Sequence, residues 1–347
     1  MKKWFSWALL VLAINWNHVF PDNAFRFQEK WQIQEPLVDP QDVLVWKDKV
    51  FVLDLAASRP VLVFSTNGTT LGMLGHLGRG PGEIQNGAEL VGVFADRFLI
   101  VRDEKSRKFV FYDIHTLQFY QEHKYTFSIL SCELAGNKIF TIGLIPEPYL
   151  GKILEVHLSS QNISLLESGF WGNFNEIPEL QAAQKNALLK QAIFTHDLNG
   201  NVYLAIERSS LFISFSNDAK LRFKTLKPFN VAIPEFINPD KRFQFVAPPI
   251  NQYPSIYFDI SVDENFLYAI YSGAKLQIIN SADLQDMGKA WTTFYSSGKK
   301  LLVFDKESGD LKKTIELPVP AWKFEVTRDA FYILSKAPAI VLYKFLK

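Results

Sequence analysis

Hydrophobic residues along this chain come in short runs separated by polar turns, and the runs fall into groups. The first group is VLVW at 43–46, VFVLD at 50–54, VLVF at 61–64 and LGML at 71–74. Runs this short, rich in Val, Leu and Phe and bounded by pieces such as Lys47-Asp48-Lys49 and Thr66-Asn67-Gly68, predict antiparallel strands joined by hairpins. The grouping then repeats. A second set is VGVF at 91–94, FLIV at 98–101, FVFYD at 109–113 and FYQEHKY at 119–125, and a third is SILSCELA at 128–135, KIFTIG at 138–143, KILEVHL at 152–158 and NISLLE at 162–167. A fourth is AIFTHD at 192–197, VYLAIE at 202–207, LFISF at 211–215 and LRFKTL at 221–226. The fifth is IYFDISV at 256–262, LYAIYSG at 267–273, LLVFD at 301–305 and LKKTIEL at 311–317.

The sixth group has only WKFEVT at 322–327, AFYILS at 330–335 and IVLYKF at 340–345, and is one strand short. The segment AFRFQEKWQIQ at 24–34 alternates polar and apolar residues and has no partner nearby, so it is the strand to complete that last sheet. The expectation is an all-β fold: a six-bladed β-propeller of four-stranded antiparallel blades, closed by an N-terminal strand in the last blade. Closure of this kind removes the open sheet edges that invite aggregation.

Three stretches break the pattern. PELQAAQKNALLKQA at 178–192 has no β-branched residue and is rich in helix formers, which predicts a surface helix between blades. Residues 228–255 are proline-rich and aperiodic, and about 25 residues interrupt the fifth blade before Leu301; both read as long loops. At the start, Lys2-Lys3 precede the apolar run WFSWALLVLAINW, too short to span a bilayer comfortably. This predicts residues 1–24 as a signal peptide or N-terminal anchor, and 25–347 as the propeller. The expected location is periplasmic or secreted, with membrane contact only through an uncleaved N-terminal segment.

The stretch from Gly72 to Asp113 resembles an NHL-type repeat through Gly75, Gly78, Gly82, Glu83, Asp103, Arg107, Phe111 and Asp113. It departs from that repeat at Arg102, where a small residue is usual, and at Ser106, where Asn is usual. A second resemblance lies in YAIYSGAK at 268–275 and LLVFDKESGDLKKTIELP at 301–318, which look like the C-terminal half of bacterial TolB-like six-bladed propellers. These resemblances imply an exported propeller of a kind mostly without an assigned function.

Charge narrows the partners. Lys plus Arg number 37 against 36 Asp plus Glu, and no basic stripe stands out, so a nucleic-acid partner is excluded. Cys132 is the only cysteine and sits in an apolar strand pattern, a core thiol that leaves no internal disulfide to form. His18, His76, His115, His123, His157 and His196 lack metal-pair spacing, and no nucleophile elbow, phosphate loop or dinucleotide fingerprint occurs. Residues 197–207, DLNGNVYLAIE, approach a calcium-loop pattern, but the glycine comes too early, which favours a hairpin turn.

Two residues stand as binding candidates. In GRGPGE at 78–83, backbone amides beside Arg79 and Glu83 have the make-up of an anion cradle, but the favoured reading is that the glycines let the chain turn sharply between blades, with Arg79 and Glu83 solvated or paired locally. Trp171, Phe174, Tyr253, Tyr257, Trp291 and Trp322 lie in or beside long connections, with core packing the favoured role. The sequence therefore points to a non-catalytic binding or scaffold module without a cofactor, taking a protein, peptide or carbohydrate ligand at the propeller mouth or face. The alternative is a calcium-dependent lactonase- or esterase-like hydrolase, which needs three or more Asp, Glu or Asn oxygens converging at one end of the axis.

Overall fold

The computed structural model describes residues 27–34, 36–145, 148–160, 162–180, 192–230, 232, 255–274 and 298–347. Strand β1 (Gln28–Ile33) comes first and is used last. Blade 1 comprises β2 (Pro40–Trp46), β3 (Lys49–Asp54), β4 (Val61–Ser65) and β5 (Thr70–Leu74), followed by two short strands, β6 (His76–Leu77) and β7 (Glu83–Ile84). Blade 2 is β8 (Ala88–Phe94), β9 (Phe98–Asp103), β10 (Lys108–Asp113) and β11 (Gln118–Lys124). Blade 3 is β12 (Ser128–Ala135), β13 (Lys138–Leu144), β14 (Gly151–Leu158) and β15 (Ile163–Trp171), and blade 4 is β16 (Ala192–His196), β17 (Val202–Ile206), β18 (Phe212–Phe215) and β19 (Leu221–Thr225). Blade 5 is β20 (Ser255–Val262), β21 (Phe266–Ala274), β22 (Lys300–Asp305) and β23 (Leu311–Glu316), and blade 6 is β24 (Lys323–Val326), β25 (Ala330–Ser335) and β26 (Val341–Leu346).

Each blade is an antiparallel sheet in chain order, and β1 supplies the fourth strand of blade 6 by pairing with β26, from Gln28↔Leu346 to Ile33↔Leu342. The first strands β2, β8, β12, β16, β20 and β24 each touch the first strands of both neighbouring blades, so they form the inner wall of a closed ring.

Alternation explains where the core lies. Successive side chains of a strand point to opposite faces, so each blade offers one apolar face to the blade before it and one to the blade after. The six apolar clusters of the described residues accordingly sit one in each seam between adjacent blades. A central strand such as β9, covered on both faces, is buried at every position, including Arg102 and Asp103.

The closing strand is held by more than its ladder. The Phe27 ring packs against Phe331 and Phe345 at 5.4 and 5.8 Å, and the Trp31 indole N–H donates to the Thr66 carbonyl at 3.0 Å in blade 1. Aromatic pairs of this kind contribute roughly 0.5–1.5 kcal/mol each beyond their burial.

The glycine-rich link expected as a simple turn forms a small parallel pair instead, with His76 opposite Glu83 and Leu77 opposite Ile84. Of the helix expected at 178–192, residues 178–180 are helical and the rest lies outside the described residues. Most of the proline-rich loop, most of the interruption in blade 5, and the N-terminal segment expected as a signal peptide also lie outside them.

Candidate functional site

The inner strands pose a chemical problem that their sequence solves. As the inner edges of their sheets, they expose backbone N–H groups with no ladder partner, and an unsatisfied edge donor is costly wherever water is limited. In three seams an acidic side chain reaches across to supply the acceptor. Asp42 Oδ2 accepts from the Leu90 N–H at 3.1 Å, Glu89 Oε1 from the Cys132 N–H at 3.0 Å, and Asp259 Oδ2 from the Phe324 N–H at 2.9 Å. The three acids occupy corresponding rungs of their first hairpins, opposite Leu53, Arg102 and Ile270. Ser261 Oγ does the same for the Val326 N–H at 3.0 Å.

These side chains line a central channel of about 530 Å³ that opens among the hairpins joining first to second strands, where Lys47, Asp197, Leu198, Glu264 and Arg328 form the rim. Its electrostatics are set by confinement. Burial pushes Asp42 up to about 7 against the pull of Lys323, with Asp259 and Glu89 adding repulsion. Burial also raises Asp259, although Lys323 Nζ stands 3.0 Å from its Oδ1 and draws it back. Glu133 is raised by burial and partly relieved by His196, whose Nδ1 lies 2.6 Å from Glu133 Oε1. Burial, then repulsion from Glu133, Asp259 and Asp42, holds Glu325 well above the usual carboxylate range. Burial works against the charge of Lys323, but Asp259 and Asp42 outweigh it and keep the ammonium charged. Inside its rim the channel thus presents the Lys323 ammonium, the His196 imidazole and several carboxyls, of which Asp42 and Glu325 are pushed well above the usual carboxylate range.

Cys132 lies in this wall, its thiol donating to Glu89 Oε1 at 2.9 Å. Burial and the Glu89 charge keep the thiol well above its usual pKa, and a thiol that stays protonated is a poor nucleophile. Among the described residues no three His, Cys, Asp or Glu side chains converge as a metal site requires. The donor set gives a physical reason: Asp42, Glu89 and Asp259 are committed to amides of the next blade, and Asp259 and Glu133 also to Lys323 and His196.

The two sequence candidates point apart. Glu83 folds inward, its Oε2 accepting from the Gly80 N–H at 2.7 Å, while Arg79 is exposed. The Gly82 N–H donates to Glu122 Oε2 at 3.2 Å, and the buried Lys108 Nζ joins Glu122 and the Gly80 carbonyl, each at 2.8 Å. Gly82 needs to be glycine, with φ +71° and the Phe119 ring 2.6 Å from where a Cβ would stand. Carboxylates of the chain therefore occupy the amides of Gly80 and Gly82. At Asp197 the carboxylate accepts from the amides of Asn199 and Asn201 at 3.0 and 2.9 Å, closing the expected hairpin turn. Trp171, Phe174 and Tyr257 are core residues, the half-buried Trp322 packs on Phe258, and Tyr253 and Trp291 lie outside the described residues.

The channel residues Asp42, Glu89, Glu133, Asp259, Lys323 and Glu325 escaped the sequence reading. The signal was present: PQDVLVW, AELVGVF and SIYFDISV each place an acid inside an apolar first strand. The ring geometry and this repeated feature decide the architecture. The chain is a six-bladed β-propeller. The model of the family DUF5128, described as a 6-bladed beta-propeller, matches residues 34–140. No functionally curated protein matches the chain.

Among solved structures, the propeller is similar to a member of the DUF4221 family from Bacteroides vulgatus, with TM-score 0.56 and 10% identity over 92% of this chain and 97% of that one. It is also similar to a candidate exported protein of Bacteroides fragilis, with TM-score 0.51 and 13% identity over 93% and 94% of the two chains. Virginiamycin B lyase from Staphylococcus aureus aligns with TM-score 0.50 and 8% identity over 93% and 100%. At such identities these likenesses show the fold alone. Among the described residues no helix is long and apolar enough to cross a membrane.

Proposed function

We propose that this propeller is an exported, non-catalytic binding or scaffold module that takes a protein, peptide or carbohydrate ligand at the mouth of its central channel. One observation carries the reading: acidic and hydroxyl groups of the channel are bonded across the seams to the next blade, so they brace a shaped, polar wall. A rigid wall of this kind favours recognition, because groups already held in place lose little freedom when a ligand arrives. The TolB-like and NHL-type resemblances, the apolar N-terminal run and the exported Bacteroides relative in fold support export to the periplasm or beyond.

The test has two arms. N-terminal sequencing of the protein recovered outside the cytoplasm is expected to begin after residue 24, and an intact Met1 on exported protein counts against a cleaved signal. Purified protein offered aryl esters and lactones with added calcium is expected to leave them intact. Turnover that stops with a chelator would overturn the module in favour of a hydrolase.

A further inference from the structure

A second cleft lies on the opposite face of the ring. The channel opens among hairpins joining first to second strands, whereas hairpins joining second to third strands emerge at the other ends of those strands. There, between blades 2 and 3, a hollow of about 480 Å³ is bounded by the turn after β9 (Glu104, Lys105, Arg107), the β11–β12 link (Tyr125, Phe127) and Asn86. Small-molecule sites occupy roughly 300–1,000 Å³.

The walls are fixed before any ligand arrives. The Asp103 carboxylate accepts from the amides of Gln85 at 3.2 Å and Ser106 at 3.1 Å, tying the link that holds Asn86 to the turn. The Tyr125 N–H donates to the Arg107 carbonyl at 3.0 Å. Beneath them the buried Arg102 donates to the carbonyls of Ile129 at 3.0 Å and Leu130 at 3.2 Å, pinning the start of β12. Tyr125 packs on Phe109 at 5.2 Å, and Phe127 lies 6.0 Å from Tyr125 with the Lys152 ammonium 4.6 Å from its ring centre.

The charges divide into spent and unspent. Arg102 is paired with Glu89 at 2.6 Å and Lys152 with Glu167 at 2.7 Å. Lys105 and Arg107 are exposed and carry no ion pair among the described residues. Glu104 also lines the hollow, its Oε2 3.7 Å from where a Cβ on the lining residue Gly87 would stand, and against the two cations it leaves the turn from Glu104 to Arg107 net positive. An aromatic wall beside two unpaired cations matches a ligand with an apolar ring face and a carboxylate at its edge.

We propose that this cleft binds an acidic oligosaccharide. A uronate carboxylate is taken by the Arg107 fork and the Lys105 ammonium, the C–H face of its pyranose ring lies against Tyr125 and Phe127, and its hydroxyls reach the Asn86 amide. The assignment goes beyond the channel-mouth reading and is tested apart from it, since ester turnover bears on that reading alone.

Isothermal titration of the full chain with trigalacturonate and with maltotriose decides it. Trigalacturonate is expected to bind saturably, about tenfold or more tighter than the neutral sugar, because a charge-assisted hydrogen bond is worth about 1.5–3 kcal/mol. Arg107→Asn keeps a residue that tolerates the left-handed turn conformation, here φ 51°, and is expected to weaken binding about tenfold with an unchanged melting temperature. Lys105→Ala should weaken it less, and Lys220→Ala in blade 4 should leave it unchanged. Equal affinity for both sugars, no saturable heat up to ~1 mM trigalacturonate, or full affinity in Arg107→Asn would each overturn the proposal.

Discussion

Blade 3 is joined to its two neighbours by different chemistry. Toward blade 2, the inner end of the seam is ionic: Arg102, 2% exposed at its side chain, pairs with Glu89 and donates to two carbonyls of β12, while Glu89 also accepts from the Cys132 amide and thiol. Toward blade 4, the inner end holds the Glu133–His196 contact at 2.6 Å and the body of the seam is aromatic. The Trp171 ring stands edge-on to Phe140 at 5.4 Å and to Phe215 at 5.0 Å, and its N–H donates to the Thr141 carbonyl at 2.9 Å. The aromatic seam draws its stability from non-directional burial, which tolerates small shifts. At the ionic inner end of the other seam each polar group depends on a particular partner, so removing one leaves a charge stranded. The contrast separates a seam that glues from a seam that sets register.

The largest effect should come from Arg102→Ala. It strands Glu89 and two carbonyls, and calorimetric or denaturant unfolding should show a loss of ~3–5 kcal/mol. Replacing both members, Arg102→Met with Glu89→Leu, removes the stranded charge but leaves the Cys132 amide and two carbonyls unpaired, so it should recover part of that loss; if the double variant is as unstable as the single, the ionic account of the seam fails. Trp171→Phe keeps the aromatic packing but forfeits the bond to Thr141, and a loss of about 1–3 kcal/mol in the same measurement is expected. A loss as large as that of Arg102→Ala would erase the distinction between the seams.

A smaller effect should follow from Glu325→Gln and depend on pH. The folded protein holds the Glu325 proton to a pH well above the ordinary carboxylate value of 4.5, so it binds more protons than the unfolded chain in that window. Stability from this group is therefore full at low pH and lost as pH rises through the folded value. Thermal melts should show Glu325→Gln gaining on the parent at about pH 8 and matching it at about pH 4. A constant difference at both would show that Glu325 does not hold its proton. Least of all, Lys220→Ala, which breaks an ion pair exposed on the blade 4 hairpin, should leave the melting temperature unchanged.

The ring was legible because the same alternation recurs blade after blade. Runs such as VFVL at 50–53 are apolar throughout because both faces are covered, and the missing strand of blade 6 could be assigned by counting. The channel was less legible. Asp42 and Glu89 sit at the polar starts of apolar runs, where an acid reads as the end of a strand; only the curvature of the ring brings each one beside the next blade's free amide. Arg102 was visible as a departure from the repeat, yet its partners Glu89, Ile129 and Leu130 lie 13 to 28 residues away and belong to two blades. The candidates Arg79 and Glu83 stood out through their glycines, and those glycines accommodate the Phe119 ring and the Glu83 side chain.

The pairing of Gln28 with Leu346 bears on how the protein is made. Among the described residues, β1 has no partner until β26 is made, so the slowest folding step is expected to be the meeting of these two strands, a contact of very high sequence separation. Until then blade 6 carries a bare edge. Joining Phe27 to Lys347 through a short linker and reopening the chain at an outer hairpin would turn that late encounter into a local one and speed refolding.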